Sequence, residues 1–410
     1  MNQLIRLGLA GLLLCCGLPA ALGADVLAIK ADRIETIAAG TIENGVILIE
    51  EGRIREIGPR AKVTVPDSAQ WIDASSQTVF PGLINPFSRL GLSSSPGGSA
   101  ASHPQYRVRD EWYPYQDLYH RVAEAGFTTL GLVPAGAGIS GQGMVVAFEG
   151  LPGKELILKE SGMLIIDFQA GSESKNLLKR AFEEAAQKSG IRLKTTSVPP
   201  PTGARSGPPA ERPESSPAPT GSSAGATDPQ IAPLADALRG DLPTFIRCAS
   251  PADLRHLILL LEPFDQLKPV IVPGPEIELV AQTLAEKKLP VVLPAQTMFQ
   301  RFTRNRINPP AILAKAGVKI ACVPAGDSVA GHETFLLQLA QLVKAGLDRT
   351  TALKAVTLHP AEMLGLDHRL GTLEAGKDAT LLILSGDPLA TATRIERILV
   401  RGKTIYQRGQ

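Results

Sequence analysis

From Val79 to Val323, short apolar runs alternate with stretches of helical periodicity. This rhythm constrains the fold more than any other feature. Strands that are apolar throughout must be buried on both faces, and helical crossovers between them make neighbouring strands parallel. Strands are predicted at Val79–Ile84, Thr128–Val133, Met163–Phe168, Thr244–Cys248, Pro269–Val272, Pro290–Leu293 and Val318–Val323. Helices are predicted at Glu173–Lys188, Pro251–Leu261, Pro275–Lys287 and Glu333–Ala345. An eighth unit is expected around Arg107–Gln116 or Gly150–Leu158, because about eight units are needed to close such a sheet into a barrel.

The flanks read differently. Val26–Ile72 consists of short strands, with a hairpin at Glu51-Gly52 joining Val46–Glu50 to Arg53–Ile57. The tail returns to strands at Ala379–Leu384, Ile395–Val400 and Lys403–Tyr406. At the start, Arg6 precedes the apolar run Leu7–Cys16, and Ala21-Leu22-Gly23 supplies small residues for cleavage. Residues 1–23 therefore read as a secretory signal peptide, and a secreted or periplasmic location is expected. The apolar run is too short to span a bilayer, and no later segment has the required length and apolarity.

Hydrophobic residues make up 44% of the 410-residue chain and charged residues 20%, so the chain as a whole is globular. A net charge of +2 and an aromatic content of 4% argue against nucleic acid as a partner. Beyond the signal only Cys248 and Cys322 remain, which excludes a disulfide framework. Two buried small apolar side chains is the simpler reading; one bridge between them is the alternative. Thr196–Gln230 holds 9 Pro, 4 Gly and 6 Ser in 35 residues, with Val198 as its single large apolar side chain. Such a segment cannot bury enough surface to offset its ordering entropy, and it is expected to be a disordered insertion.

Several segments together resemble the amidohydrolase superfamily, particularly its imidazolonepropionase-like members. Thr78-Val-Phe-Pro-Gly-Leu-Ile-Asn-Pro-Phe-Ser-Arg-Leu-Gly91 is similar to that family's first barrel strand. Ala125-Gly-Phe-Thr-Thr-Leu130, followed by Gly141-Gln-Gly143, looks like the second strand and its loop. Gly317-Val-Lys-Ile-Ala321, leading to Gly326-Asp327-Ser328, looks like the strand ending in the catalytic Asp. His359-Pro-Ala-Glu-Met-Leu-Gly-Leu366 and Arg369-Leu-Gly-Thr-Leu-Glu-Ala-Gly-Lys-Asp-Ala379 match the last barrel helix and the return to a β-sandwich. The resemblance implies an α/β fold: a (β/α)8 barrel over residues 79–370, and a composite β-sandwich from 24–78 and 371–410.

The resemblance also implies one or two divalent metals such as zinc at the barrel mouth, held first by a His–x–His pair on one strand. The two side chains of such a pair project to one face. Here those positions are Phe87 and Arg89. A benzyl group cannot ligate a metal, and a guanidinium has no acceptor. The fifth-strand His corresponds to Arg247, and the sixth-strand His falls near Pro273 or Gly274. Only the eighth-strand Asp has a counterpart, Asp327. No His–x–His pair exists among the six His, and His332 alone lies near the end of a strand. His332-Glu333 is not a zincin motif, since Leu336 stands where the second His belongs. Gly136-Ala-Gly138-Ile-Ser-Gly141 fits a dinucleotide fingerprint, but Gly143–Phe148 after it reads as strand rather than helix, so turn chemistry is expected.

Two functions are weighed. One is metal-dependent hydrolysis of C–N bonds in cyclic amides, with Asp327 as the catalytic residue of an atypical site. The favoured one is a catalytically inactive binding or partner module with no metal, acting alone, as a homo-oligomer or beside an active homologue. Arg89, Arg247 and His332 are its candidate ligand-binding residues. Two Arg against Asp327 leave a positive charge over, so either Asp167 or Glu276 closes an Arg–carboxylate cluster or the mouth takes a small anionic ligand.

Overall fold

The computed structural model describes residues 26–93, 101–114, 117–148, 157–194 and 228–409. The expected signal peptide, almost all of the Pro-rich insertion and most of Gly150–Leu158 lie outside the described residues.

Four strands open the chain: β1 (Leu27–Glu35), β2 (Thr41–Glu50), β3 (Arg53–Pro59) and β4 (Gln70–Pro81). Next come β5 (Leu83–Ser88), the short β6 (Ala101–Ser102), β7 (Phe127–Leu132), β8 (Gly138–Ala147) and β9 (Ile157–Phe168). They are followed by β10 (Thr244–Cys248), β11 (Pro269–Pro273) and β12 (Val291–Pro294). A small hairpin, β13 (Met298–Phe299) and β14 (Arg306–Ile307), precedes β15 (Ile320–Val323). The chain ends on β16 (Leu381–Leu384), β17 (Ile395–Val400) and β18 (Lys403–Gln407).

The terminal strands form one seven-stranded sheet in the order β18-β17-β16-β4-β1-β2-β3. Its alternation separates two cores. Leu381 and Ile383 pack with Ile29, Ile47 and Val79, whereas Leu382 and Leu384 join the cluster that holds the barrel's outer face. The predicted strand Val79–Ile84 proves to be the junction between two sheets. Val79–Pro81 ends β4, and β5 begins after Gly82. Gly82 is needed there, because a Cβ would collide with the Thr128 side chain.

The barrel strands run in the order β15-β12-β11-β10-β9-β8-β7-β5. Seven of these eight are parallel neighbours in the expected βα pattern, and β8 runs antiparallel to both β7 and β9. Only Val133–Ala137 separates β7 from β8, too short for a parallel crossover, which takes a dozen residues or more. Of the two segments expected to hold the eighth unit, Arg107–Gln116 supplies, among its described residues, a single parallel bridge from Arg107 to Gln142 and a helical turn, Val108–Asp110. The seam is bridged by the chain at Ala355–Val356, which accepts from Cys322 N at 2.8 Å and from Ile84 N at 3.0 Å.

Helices cover the outer face. The helix Ser172–Lys188 buries Ser174, Leu178, Phe182 and Ala185, a stripe of helical spacing. The helix Pro251–Leu261 starts where Ser250 Oγ accepts from Asp253 N, with Pro in its first turn. Inside the barrel, Ile84, Val145, Ile165, Phe245, Val270 and Val292 form an apolar core. Ala361, Met363 and Leu366, from the helix Leu358–Met363 and the turn after it, join this core where the strands begin. Lys159 Nζ ties that plug down, donating to Leu364 O at 2.8 Å and Gly365 O at 3.1 Å. A cavity of about 1090 Å³ lies at this same end, away from the expected mouth, beside Pro243, Pro269 and Pro290. Cys248 and Cys322 are free and buried, so no bridge links them. Burial pushes both thiols up to about 12.

Candidate functional site

The side chains singled out at the mouth come from the ends of β5, β9 and β10 and from the turn after β15. Phe87 follows a register shift in β5 between Asn85 and Ser88. Its backbone N–H donates to Asn85 Oδ1 at 3.1 Å, and its ring stacks on Phe245 with centroids 6.2 Å apart and planes 17° from parallel. The centre of the mouth is therefore floored by two aromatic rings.

Asp327 lies beyond β15, exposed, immediately before a short helix, Val329–Glu333, capped by Ser328. Ser88 Oγ donates to Asp327 Oδ1 at 2.7 Å, and the Arg89 backbone N–H donates to Oδ2 at 2.6 Å. These bonds join the end of β5 to the turn after β15. The Arg89 guanidinium turns elsewhere: Nη1 donates to Val133 O at 2.9 Å and Nη2 to Ser93 O at 2.7 Å. The expected pairing of Asp327 with guanidinium groups is thus replaced by a hydroxyl and a backbone amide. An exposed carboxylate keeps its hydration and needs no buried counter-ion.

Arg247 behaves as a paired charge. Its Nη2 lies 2.7 Å from Asp167 Oδ2 and donates to Gly136 O at 3.0 Å, while its buried Nε has no partner among the described residues. Arg247 and Asp167 stand directly opposite each other on β10 and β9, so strand register sets the contact. Glu276 is not part of this group. It sits in a left-handed conformation after β11 and meets Arg301 Nε at 3.5 Å. Of the two candidates for closing the charge count, Asp167 is the one in place, and it pairs with Arg247 alone. The Arg89 guanidinium is satisfied by carbonyl oxygens rather than by a carboxylate.

His332 is 1% exposed, and both of its ring nitrogens have internal partners. Nδ1 donates to Ser328 O at 2.7 Å, and Nε2 accepts from Asn85 Nδ2 at 3.1 Å; this tautomer satisfies both bonds. The ring packs edge-on against Phe127 at 4.6 Å. Burial lowers its pKa, opposed by the Ser328 carbonyl and the Asp327 charge. His332 therefore fixes the turn that carries Asp327. Nearby, Tyr119 donates to Leu90 O at 3.0 Å and accepts from Trp112 Nε1 at 3.1 Å. Burial pushes its phenol up to about 12. Sequence reasoning passed over Ser88 and Asn85, although both lie inside the quoted first-strand motif.

Phe87, Arg89 and Arg247 offer no lone pair, and the sixth-strand position is closed as well. Gly274 N donates to Cys248 O at 2.7 Å, and any Cβ there would overlap the Ala249 backbone. Among the described residues no group of three or more His, Cys, Asp or Glu is placed to hold a metal. The glycines at 136, 138 and 141 all have positive φ and enter a strand, as the turn reading expects. Among the described residues no helix is long and apolar enough to cross a membrane.

Comparison with known proteins places residues 231–405 in a match to the amidohydrolase family. Adenine deaminase 1 of Carboxydothermus hydrogenoformans is 30% identical over 80 residues, 20% of this chain and 12% of that protein. N-acetylglucosamine-6-phosphate deacetylase of Danio rerio is 36% identical over 64 residues, 16% of this chain and 15% of that protein. The chain thus matches only a small part of each curated relative. Among solved structures, an amidohydrolase from Thermotoga maritima MSB8 superposes with a TM-score of 0.74 and 23% identity, covering 93% of this chain and 100% of that one. An adenosine deaminase from Xanthomonas campestris with bound zinc gives a TM-score of 0.53 at 17% identity, covering 94% of each chain. At these identities the structural likeness bears on the fold.

Proposed function

We propose that this chain, which matches the amidohydrolase family over residues 231–405, is an exported member of that family that serves as a catalytically inactive binding or partner module. The observation that carries the reading is that two positions where the resemblance puts metal ligands hold Phe87, stacked on Phe245, and Arg247, paired with Asp167. A hydrolytic metal site needs several donors in fixed geometry with an open coordination position. Aromatic faces and guanidinium groups supply neither. What the mouth offers a partner is an apolar floor ringed by fixed charges of both signs.

The test is metal content together with turnover. Purified protein dialysed against zinc should retain well under one metal per chain and should not hydrolyse cyclic amides. Roughly one metal per chain, lost on Asp327→Ala, would overturn the proposal.

One observation favours hydrolysis as a second reading. The Asp327 carboxylate is exposed and held in one orientation by two separate donors, an arrangement suited to positioning a water or substrate group at the mouth. Amide hydrolysis abolished by Asp327→Asn would establish it.

A further inference from the structure

Past the end of β12, on the side where the barrel strands finish, β13 and β14 pair antiparallel as a small projecting hairpin. Between Ala295 and Asn308 the chain carries Arg301, Arg304 and Arg306 and no acidic residue. Phe302, at the tip, is 99% exposed, and Phe299 is 65% exposed. Phe302 also has φ +60°, a left-handed conformation that a bulky side chain seldom takes. Nothing in the fold rewards this placement: the ring packs on no core, and the backbone is strained to present it.

The tip is nevertheless built. Gln300 N donates to Asn305 O at 2.8 Å, Thr303 N to Gln300 O at 3.0 Å, and Asn305 N to Thr303 Oγ1 at 3.1 Å. Arg301 braces the hairpin against Glu276. The Arg301 and Arg306 guanidiniums sit 5.9 Å and 5.7 Å from the Phe302 and Phe299 ring centroids, so each ring carries a cation beside it.

We infer that this hairpin docks the protein onto an anionic lipid surface. Phe299 and Phe302 enter the boundary between headgroups and acyl chains, and Arg304 and Arg306 meet the lipid phosphates, while Arg301 stays with Glu276. Two features favour a bilayer over an acidic protein. The apolar groups are on a protruding tip, which penetrates a fluid interface without needing a complementary cavity. The charge is of one sign within the hairpin, which suits a sheet of phosphates in any register.

The experiment is co-sedimentation with vesicles of phosphatidylcholine alone and with phosphatidylglycerol added. The protein should pellet with the anionic vesicles, and salt should release it. Arg304→Gln and Arg306→Gln should each weaken binding about fivefold. Phe302→Gly should weaken it at least about tenfold, with the melting temperature unchanged or raised, since glycine accepts a positive φ. Arg304→Gln leaves the backbone alone and guards against a folding artefact. The apolar run Leu7–Cys16 is common to all variants, so the differences report on the hairpin. Equal pelleting by the variants, no preference for anionic vesicles, or binding to soluble poly-glutamate without binding to vesicles would overturn the inference.

Discussion

Arg247 and Asp167 meet at 2.7 Å as register partners on adjacent parallel strands, one step inside the barrel mouth. The pair does more than satisfy two charges. It draws the Arg247 guanidinium across the mouth to Gly136 O, so the ends of β9 and β10 and the turn before β8 are held by one side chain. The ion pair thus links neighbouring strand ends mechanically.

Removing one partner should therefore cost more than removing both. Arg247→Met leaves Asp167 facing an apolar floor and should destabilise by about 1–2 kcal/mol, a figure discounted because both side chains are partly exposed. Arg247→Met with Asp167→Leu should recover much of the loss. Urea denaturation of the two single variants and the double variant gives the coupling energy. Purely additive effects would show that the pair is not a unit.

Phe87 offers a second check. Phe87→Ala removes a half-buried ring from its stack on Phe245 and should lower stability by about 2–3 kcal/mol. Phe87→His keeps an aromatic ring and should cost less. Neither change alone should create metal binding, because Arg89 and Arg247 still occupy the other ligand positions. A zinc titration by calorimetry on Phe87→His checks this directly.

The barrel strands were legible because their apolar runs are long enough to exclude an amphipathic alternative. The direction of β8 was not, since a run such as Met144–Ala147 reads alike whichever way it points. Only the short link Val133–Ala137 carried that information. At the site, the chemistry of the side chains at Phe87, Arg89 and Arg247, one benzyl group and two guanidiniums, could be read from the sequence directly. The destination of the Arg89 side chain could not be, because it depends on carbonyls at Val133 and Ser93 that no sequence pattern marks. His332 reads as an isolated imidazole near a strand end. Its burial against Phe127 and Asn85 comes from contacts some two hundred residues distant in the chain.

A third prediction concerns the join between sheet and barrel. Glu35 is buried and accepts from Arg33 at 2.6 Å, Arg349 at 2.7 Å and Thr41 at 2.9 Å, while Arg349 also reaches Asp387 at 3.0 Å. Glu35 belongs to β1, and Arg349 opens the helix Arg349–Lys354 on the barrel. Glu35→Ala leaves Arg33 without its carboxylate and Arg349 with Asp387 alone, and should destabilise by about 1–2 kcal/mol, a figure discounted because both guanidiniums are about one-third exposed. If the sheet and barrel unfold together, a single transition should simply shift down in temperature. Calorimetry resolving a new, earlier transition would instead show that the two parts separate when this clamp is lost.

The last prediction is a pH dependence with a definite sign. Burial lowers the pKa of both His332 and His359, and His359 Nδ1 is held by Ile320 O at 2.8 Å. In the unfolded chain each imidazole takes up a proton near pH 6.5. In the folded protein each stays neutral to lower pH, so below that point the unfolded state binds more protons than the native one. Stability must then fall as pH drops from about 6.5, by up to about 1.4 kcal/mol per pH unit for each histidine, until the folded-state pKa values are reached. His332→Gln should remove about half of this slope, because glutamine does not titrate. It should also loosen the turn carrying Asp327, since Ser328 O loses its donor. The measurement is denaturant stability between pH 7.5 and pH 5 for the parent chain and the variant. Parallel curves would show that His332 ionises as freely in the fold as in water, contradicting its burial against Phe127 and Asn85.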